Sequence, residues 1–202
     1  CISLYVYFSD SKGFSVRLRL IGLSRCYSKR NSSPPSSFPR VYPRLNWIGG
    51  KSMTMTFNES RWPRENAIKV VKGNGVSKLA VFMDPMCVYC KRLSRETLAN
   101  LMNVTIYCYI WPFLSEESKE IAGCIYSSAD KADALVRWMK YDQMPTGMSN
   151  EYSEEMIEQN IALADYLGLQ GTPAIFLSDG RGPFGAMSAK ALTHKIISAE
   201  HY

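Results

Sequence analysis

Two cysteines separated by two residues, in the sequence Cys87-Val88-Tyr89-Cys90, constrain this chain more than any other feature. They follow the apolar run at residues 79–83, which has the length and composition of a buried strand. They also stand at the start of residues 87–103, where apolar side chains recur at helical spacing. The sequence therefore predicts a strand, a turn that carries two thiols, and a helix in immediate succession.

This placement favours a reactive dithiol. The N–H groups in the first turn of a helix have no partners within the helix, and together with the helix dipole they stabilise a thiolate. The thiolate is the nucleophilic form of cysteine, so a lowered pKa increases the reactivity of Cys87 at neutral pH. Cys90 is near enough in sequence to close a small disulfide ring and to resolve a mixed disulfide. We therefore predict a redox-active disulfide between Cys87 and Cys90, with Cys87 as the nucleophile.

Two other roles for this pair of cysteines stay open. A Cys-x-x-Cys pair supplies half of many zinc sites, which need two further ligands. The chain has no second pair with this spacing, and its two histidines, His194 and His201, lie near the C-terminus. An inert structural disulfide is the other alternative. The position between strand and helix favours the redox-active dithiol, which needs neither a metal nor a cofactor.

A second candidate site is the pair Thr172-Pro173, which follows Gly171 and directly precedes the apolar run at residues 174–177. Most peptide bonds before proline are trans, with about 5–6% in the cis form in folded proteins. A Thr-Pro pair directly before a buried strand, and well after a Cys-x-x-Cys helix, is nevertheless where thioredoxin folds have their cis-proline. The resemblance to that arrangement implies that Thr172 and Pro173 lie beside the two thiols.

From about residue 67 onwards the sequence alternates predicted strands and helices. The predicted segments are, in order, a short segment at 67–72, a strand at 79–83, a helix at 87–103, a strand at 104–111, a helical region at 115–140, a helix from 153, a strand at 174–177, a turn at Asp179-Gly180, a returning strand at 182–187 and a helix at 188–199. This order predicts an α/β fold with a central mixed β-sheet flanked by helices.

The first 60 residues differ from the rest of the chain. Ser, Arg and Pro dominate residues 24–44, which cannot bury enough apolar surface to offset the entropy of ordering. Residues 1–52 hold nine of the 24 Lys and Arg residues but one of the 18 acidic residues, so the net charge of +6 arises there. We predict an irregular, basic segment at 1–60, disordered or a linker, and a catalytic domain at 64–200.

This basic segment does not predict a nucleic-acid partner, because no aromatic stacking platform or known binding module accompanies it. The chain begins at Cys1 instead of Met, and no secretory signal with a clear apolar centre is visible. We therefore expect a fragment or a processed product.

Residues 78–93 and 167–180 resemble the DsbC/DsbG family of bacterial periplasmic disulfide isomerases, and the resemblance extends over roughly residues 64–200. It implies a thioredoxin-like catalytic domain with a helical insertion between the two candidate sites. It also implies that Cys87 is the nucleophile and Cys90 the resolving thiol.

The resemblance implies substrate-binding residues and partners as well. Thr172 and Pro173 would form a cis peptide bond against the disulfide, with the Thr172 backbone pairing to a substrate strand. Tyr89 matches the tyrosine that family members carry before the second cysteine. The implied substrates are unfolded or wrongly disulfide-bonded proteins, and the implied partner is a membrane redox protein of the DsbD type. A homodimer and a periplasmic location are further expectations.

Residues 1–60 do not resemble the N-terminal dimerisation domain of that family, so isomerase, oxidant and reductant activity all stay open. A thioredoxin-fold chaperone or binding module without essential redox chemistry is the alternative function. Cys124 lies near the first half of a structural disulfide found in many members, but no cysteine follows it. We expect Cys124 to be a buried free thiol or to pair with Cys108.

Four further residues near the predicted site have two interpretations each. Asp84, three positions before Cys87, is expected to be a turn or cap residue rather than a group that tunes proton transfer at Cys90. Tyr109, Trp111 and Phe113 are expected to pack in the core rather than to form a substrate groove.

Overall fold

A mixed sheet of four strands forms the centre of the computed structural model, which describes residues 57–200. The strands are β1 (Ile68–Lys72), β2 (Ser77–Met83), β3 (Val104–Ile110) and β4 (Ala174–Leu177), and their spatial order is β1-β3-β2-β4. β2 and β3 are parallel, whereas β1 pairs with β3 and β4 pairs with β2 in the antiparallel sense. Every residue of β3 is buried, as expected for a central strand with both faces covered. The predicted mixed sheet is confirmed.

Five α-helices surround this sheet in the described part of the chain. They are α1 (Val88–Arg92), α2 (Glu116–Tyr126), α3 (Lys131–Tyr141), α4 (Glu151–Tyr166) and α5 (Ala189–Glu200). α1 continues into a π-helical turn at Leu93–Thr97 and a 3-10 turn at Leu98–Asn100, so the predicted helix at 87–103 is present but irregular in its second half. None of the helices within residues 57–200 combines the length and the apolar character that a membrane crossing requires.

Two predicted helix boundaries differ from the structure because side chains cap the backbone. The predicted helical region at 115–140 is two helices, since Asp130 accepts a hydrogen bond from the Asp133 N–H at 2.9 Å and starts α3. The helix predicted from 153 begins earlier, because Asn150 and Ser153 form a reciprocal capping box. Neither cap changes the fold class, but both fix where the helical insertion turns.

The predicted returning strand at 182–187 is wrong. Only Phe184 pairs with the sheet, through two hydrogen bonds of 2.8 Å with the backbone of Ile175. Its neighbour Pro183 has no N–H group and therefore cannot extend a ladder of strand hydrogen bonds. The predicted turn before it does form, since the Gly180 N–H donates to the Leu177 carbonyl at 3.0 Å.

Side chains alternate across the sheet and give it two different faces. We call the first the aliphatic face, because its core residues are mostly aliphatic: Leu79, Val81, Met83, Val104, Ile106, Cys108 and Ile110. It packs against residues of α1, α3 and α5. We call the second the aromatic face, and its core residues are Ala80, Phe82, Tyr107, Tyr109, Ala174 and Phe176. It packs against the second half of α4.

Phe57 and Trp62 complete the aromatic face from before the predicted domain boundary. The Phe57 ring lies 5.1 Å from that of Phe176, and the Trp62 ring lies 5.6 Å from that of Tyr107. The Trp62 indole N–H also donates to the Phe57 carbonyl at 2.9 Å. The packed unit therefore reaches at least to Phe57, and the rest of the predicted N-terminal segment lies outside the described residues.

Candidate active site

Cys87 is the N-cap of α1, directly after the loop that leaves β2. Its backbone is extended, with φ −67° and ψ 117°, and its sulfur accepts a hydrogen bond from the Cys90 N–H at 3.4 Å. The sulfur therefore occupies the position of the oxygen in an ordinary N-cap side chain. This is the strand, turn and helix arrangement that the sequence predicts for the two thiols.

The surroundings of Cys87 favour its thiolate. The Cys90 thiol, followed by smaller contributions that include the backbone N–H groups of Cys90 and Tyr89, outweighs the desolvation of the sulfur and lowers the Cys87 pKa to about 5. The residue is 6% exposed and is therefore almost fully buried. Cys87 is therefore ionised at neutral pH and can act as a nucleophile.

Cys90 has the opposite electrostatic environment. It has no exposed surface, and burial raises its pKa, with a further increase from its hydrogen bond to Cys87. Cys90 therefore stays protonated at neutral pH while its neighbour is ionised. At neutral pH the negative charge is therefore on Cys87 and the proton on Cys90.

The Thr172–Pro173 peptide bond lies against Cys87 and is cis, as the resemblance implies. The Cys87 Sγ lies 3.5 Å from the Thr172 carbonyl oxygen, which accepts its hydrogen bond in the protonated state. Pro173 is buried and leads directly into β4. The Thr172 hydroxyl is also buried and has no hydrogen-bond partner among the described residues. The second predicted site is therefore joined to the first.

Asp84 organises the loop before Cys87 and has the geometry of the predicted turn and cap residue. Its fully buried carboxylate accepts hydrogen bonds from four donors. These are the Met86 N–H at 2.7 Å, the Ser118 hydroxyl at 2.8 Å, and the N–H groups of Phe113 and Leu114 at 3.0 Å. Its carbonyl accepts from the Cys87 N–H at 3.1 Å. Asp84 thus joins the thiol loop to the loop that precedes α2.

Apolar side chains around the site face solvent. Tyr89 is 66% exposed and Val88 is 75% exposed, on the turn between the two cysteines. Phe113 is 43% exposed and stacks on buried Trp111 at 4.5 Å, so the predicted core position is wrong for Phe113 and confirmed for Trp111 and for fully buried Tyr109. The Phe113 backbone N–H donates to the Asp84 carboxylate, three residues after the end of β3.

Trp138 on α3 is a site residue that the sequence does not reveal. Its indole N–H donates to the Pro85 carbonyl at 2.8 Å, and the Lys91 amino group lies 4.1 Å from the centre of its ring. α3 therefore holds the thiol loop on one side and the positive charge of α1 on the other. Nothing in the spacing around Trp138 distinguishes it from an ordinary core residue of an amphipathic helix.

Neither of the two states expected for Cys124, a buried free thiol or a bond to Cys108, is observed. Cys108, on β3, is a free thiol whose pKa is raised to about 12 by burial. Cys124, by contrast, is disulfide-bonded. The expectations of a free Cys124 thiol and of a Cys108–Cys124 bond are therefore both wrong. Within residues 57–200, no group of three or more Cys, His, Asp or Glu side chains is arranged to hold a metal ion.

A strand is followed by a helix whose N-terminus carries two thiols, and these thiols lie beside a cis-proline at the start of another strand. This arrangement defines a thioredoxin-like protein. A family model described as a thioredoxin-like domain matches residues 64–199, and the chain belongs to this family. The crystal structure of a disulfide interchange protein from Neisseria gonorrhoeae superposes with a TM-score of 0.64 at 30% identity, over 69% of this chain and 99% of that one.

Curated relatives of this chain are also named as disulfide interchange proteins. The chain is 35% identical over 137 residues to a probable thiol:disulfide interchange protein DsbC of Bordetella avium, covering 68% of this chain and 48% of the relative. Its counterpart in Bordetella parapertussis is 37% identical over 134 residues, covering 66% and 47%. The chain thus spans about half the length of these relatives. The resemblance to thiol:disulfide interchange proteins is confirmed.

Proposed function

We propose that this protein catalyses thiol–disulfide exchange on protein substrates, with Cys87 as the nucleophile and Cys90 as the resolving thiol. The observation that carries the proposal is the contrast between the two sulfurs. The pKa of Cys87 is lowered to about 5, whereas that of buried Cys90 is raised. The names of the relatives support the same reaction class.

The reaction has two exchange steps. The Cys87 thiolate attacks one sulfur of a substrate disulfide, forms a mixed disulfide, and releases the other substrate sulfur as a thiolate. Cys90 then loses its proton to solvent or to the released thiolate and attacks the Cys87 sulfur. This second step forms the Cys87–Cys90 disulfide and releases the second substrate thiolate. The substrate gains two electrons, the enzyme loses two, and the reverse sequence oxidises a substrate dithiol.

Thr172, Pro173 and Tyr89 are proposed to position the substrate. The Thr172 carbonyl is within 3.5 Å of the attacking sulfur, at the start of edge strand β4. An extended substrate segment that pairs with the Thr172 backbone would bring its own disulfide to Cys87. The exposed Tyr89 ring lies on the same turn as Cys87 and offers an apolar surface to such a segment.

The direction of the exchange depends on what reacts with the mixed disulfide. If a second thiol of the substrate attacks before Cys90 does, the substrate is isomerised and Cys87 is regenerated without net electron transfer. We propose isomerase or oxidoreductase activity of this kind in the periplasm, with re-reduction of Cys87–Cys90 by a membrane protein of the DsbD type. A homodimer in solution would support isomerisation, and a monomer would support oxidant or reductant activity.

Insulin reduction and refolding of scrambled ribonuclease test the proposal. Cys87→Ala should reduce both activities to the uncatalysed background because it removes the attacking sulfur. Cys108→Ala is the matched control, because it removes a buried thiol of the same chain outside the site. Full activity of Cys87→Ala, or equal losses in the two variants, would refute the assignment.

A chaperone or binding module is the second candidate function, favoured by the exposed apolar side chains around the thiols. Val88 and Tyr89 are joined there by Leu114, which is 51% exposed. This function predicts that the Cys87→Ala/Cys90→Ala double variant still suppresses the aggregation of a reduced unfolded protein. If suppression and exchange are lost together, redox chemistry alone accounts for the activity.

A further inference from the structure

A cavity of about 220 Å³ lies on the aliphatic face of the sheet, between the strands, α3 and the irregular turns that follow α1. Its walls are mostly hydrocarbon. From the sheet they include Val70, Met83 and Ile106, and from the covering elements they include Leu98, Val136 and Met139. Neither Cys87 nor Cys90 lines this cavity, and the proposed exchange reaction does not use it.

Two lysines, Lys72 and Lys140, complete the lining of this apolar cavity. The Lys72 amino group donates to the carbonyl oxygens of Leu98 and Ala99, at 2.8 Å to Leu98. Burial, followed by repulsion from the nearby Lys140 ammonium, lowers the Lys72 pKa. Two lysine side chains therefore line one largely apolar space.

The described residues supply no carboxylate that neutralises this pair. Lys72 and Lys140 make no ion pair in the described part of the chain, and the acidic residue nearest to Lys140 in sequence is Asp142. The Asp142 carboxylate is already paired with Lys91 and with Arg95. An anion at the edge of the cavity would supply a counter-charge that the described carboxylates do not.

We propose that this cavity binds a small amphipathic carboxylate, with its hydrocarbon body between the sheet and α3 and its carboxylate at Lys72 and Lys140. The volume is sufficient for the body, because a cavity of about 150 Å³ lined by similar side chains accommodates benzene. The apolar walls and the paired ammonium groups select against neutral polar and cationic ligands. The Ser94 and Leu98 walls belong to the continuation of the active-site helix, so a bound ligand would also contact that element.

Octanoate is a suitable probe, and the methionine methyl groups report where it binds. Met83 and Met139 line the cavity, whereas Met102 is 75% exposed and lies outside it. In a titration followed by NMR of labelled methionine methyl groups, the Met83 and Met139 signals should shift in a saturable manner while the Met102 signal does not. Octanol and octyltrimethylammonium should bind more weakly than octanoate.

Two kinds of variant locate the binding. Lys140→Gln should weaken octanoate binding by up to about fivefold, the range of a partly exposed ion pair, and leave octanol binding unchanged. Lys190→Gln, on exposed α5 surface, is the matched control and should change neither.

Val136→Phe fills the cavity and should abolish binding, with Val76→Phe as the control on an exposed valine. If Val136→Phe fails to fold, Ala99→Leu fills the space from the opposite wall.

The proposal is independent of the exchange reaction, so Cys87→Ala should bind octanoate as the unaltered protein does. Three results would overturn it: no saturable shift of Met83 and Met139, binding that Val136→Phe and Ala99→Leu leave intact, or equal affinity for octanoate and octanol. None of these results would affect the assignment of Cys87 as nucleophile, which the insulin assay tests separately.

Discussion

The two faces of the sheet differ in the side chains that cover them and in what they support. The aromatic face is filled by large rings at close range, with Phe82 and Tyr109 stacked at 4.8 Å and Phe57 packed edge-on against Phe176 at 5.1 Å. Such pairs add about 0.5–1.5 kcal/mol each beyond the area they bury. The aliphatic face packs against both thiols and borders an open cavity. The thiol chemistry thus lies on one side of the sheet, while both sides contribute buried core.

The largest effect is expected from Phe82→Ala, which removes a fully buried ring from the aromatic face. The lost burial and the remaining cavity should lower the free energy of unfolding by about 3–5 kcal/mol. The Cys87 pKa should stay near 5, since Phe82 points away from the thiols. Urea unfolding measures the first quantity, and the pH dependence of Cys87 alkylation measures the second. A large rise in the Cys87 pKa would show that the two faces are not separate.

Asp84→Ala should have the next largest effect, because it leaves four donors at the thiol loop without their acceptor. Hydrogen bonds to a charged group contribute about 1.5–3 kcal/mol each and are not additive, so we expect a loss of about 3 kcal/mol. Asp84→Asn, which retains an acceptor oxygen and nearly the same volume, should lose less. No loss in Asp84→Asn, measured by urea unfolding, would mean that Asp84 only fills space.

The two thiols and the Thr-Pro pair could be predicted from the sequence, because each is recognised from a short stretch of neighbouring residues. Cys87 and Cys90 have motif spacing between a strand and a helix, and Thr172-Pro173 directly precedes an apolar run. The supporting contacts could not be predicted, because they join distant parts of the chain. Trp138 reaches Pro85 across 53 positions, and no local pattern encodes that hydrogen bond.

Two further differences show where local patterns fail. The apolar residues of 182–187 resemble a strand, but Pro183 cannot donate to a neighbouring strand, so pairing stops at Phe184. Phe57 and Trp62 precede the regular alternation of strands and helices, so their place in the core depends on the aromatic surface they meet. Both outcomes follow from partners that a single segment does not reveal.

A smaller effect is expected from substituting two matched tryptophans, one packed on each face of the sheet. Trp138→Phe and Trp62→Phe each remove one indole hydrogen bond to a carbonyl, at 2.8 Å and 2.9 Å respectively. Each should cost about 1 kcal/mol in the free energy of unfolding. Only Trp138→Phe should change the rate of Cys87 alkylation, because the Trp138 bond reaches the thiol loop and the Trp62 bond does not. Equal rates in the two variants would contradict the role assigned to Trp138.

A different kind of effect is a pH dependence of the stability of the reduced protein. The Cys87 pKa is about 5 in the folded state, against an ordinary value of 9.0. Its thiolate therefore stabilises the folded state fully above about pH 9, and this contribution is lost as the pH falls through 5. The free energy of unfolding should rise between these values, and the rise should be absent in Cys87→Ala. An identical pH profile for both proteins would place the ionisation elsewhere.

The most direct test of the account is to trap the intermediate in which Cys87 alone is bonded to a substrate. Cys90→Ala removes the resolving sulfur and should accumulate a mixed disulfide when it is mixed with an oxidised peptide. Mass spectrometry of the digested complex should find the peptide on Cys87, with free Cys108 unmodified because burial keeps it protonated. A peptide attached at Cys108, or no mixed disulfide while the peptide is still reduced, would contradict the assignment of Cys87 as the nucleophile.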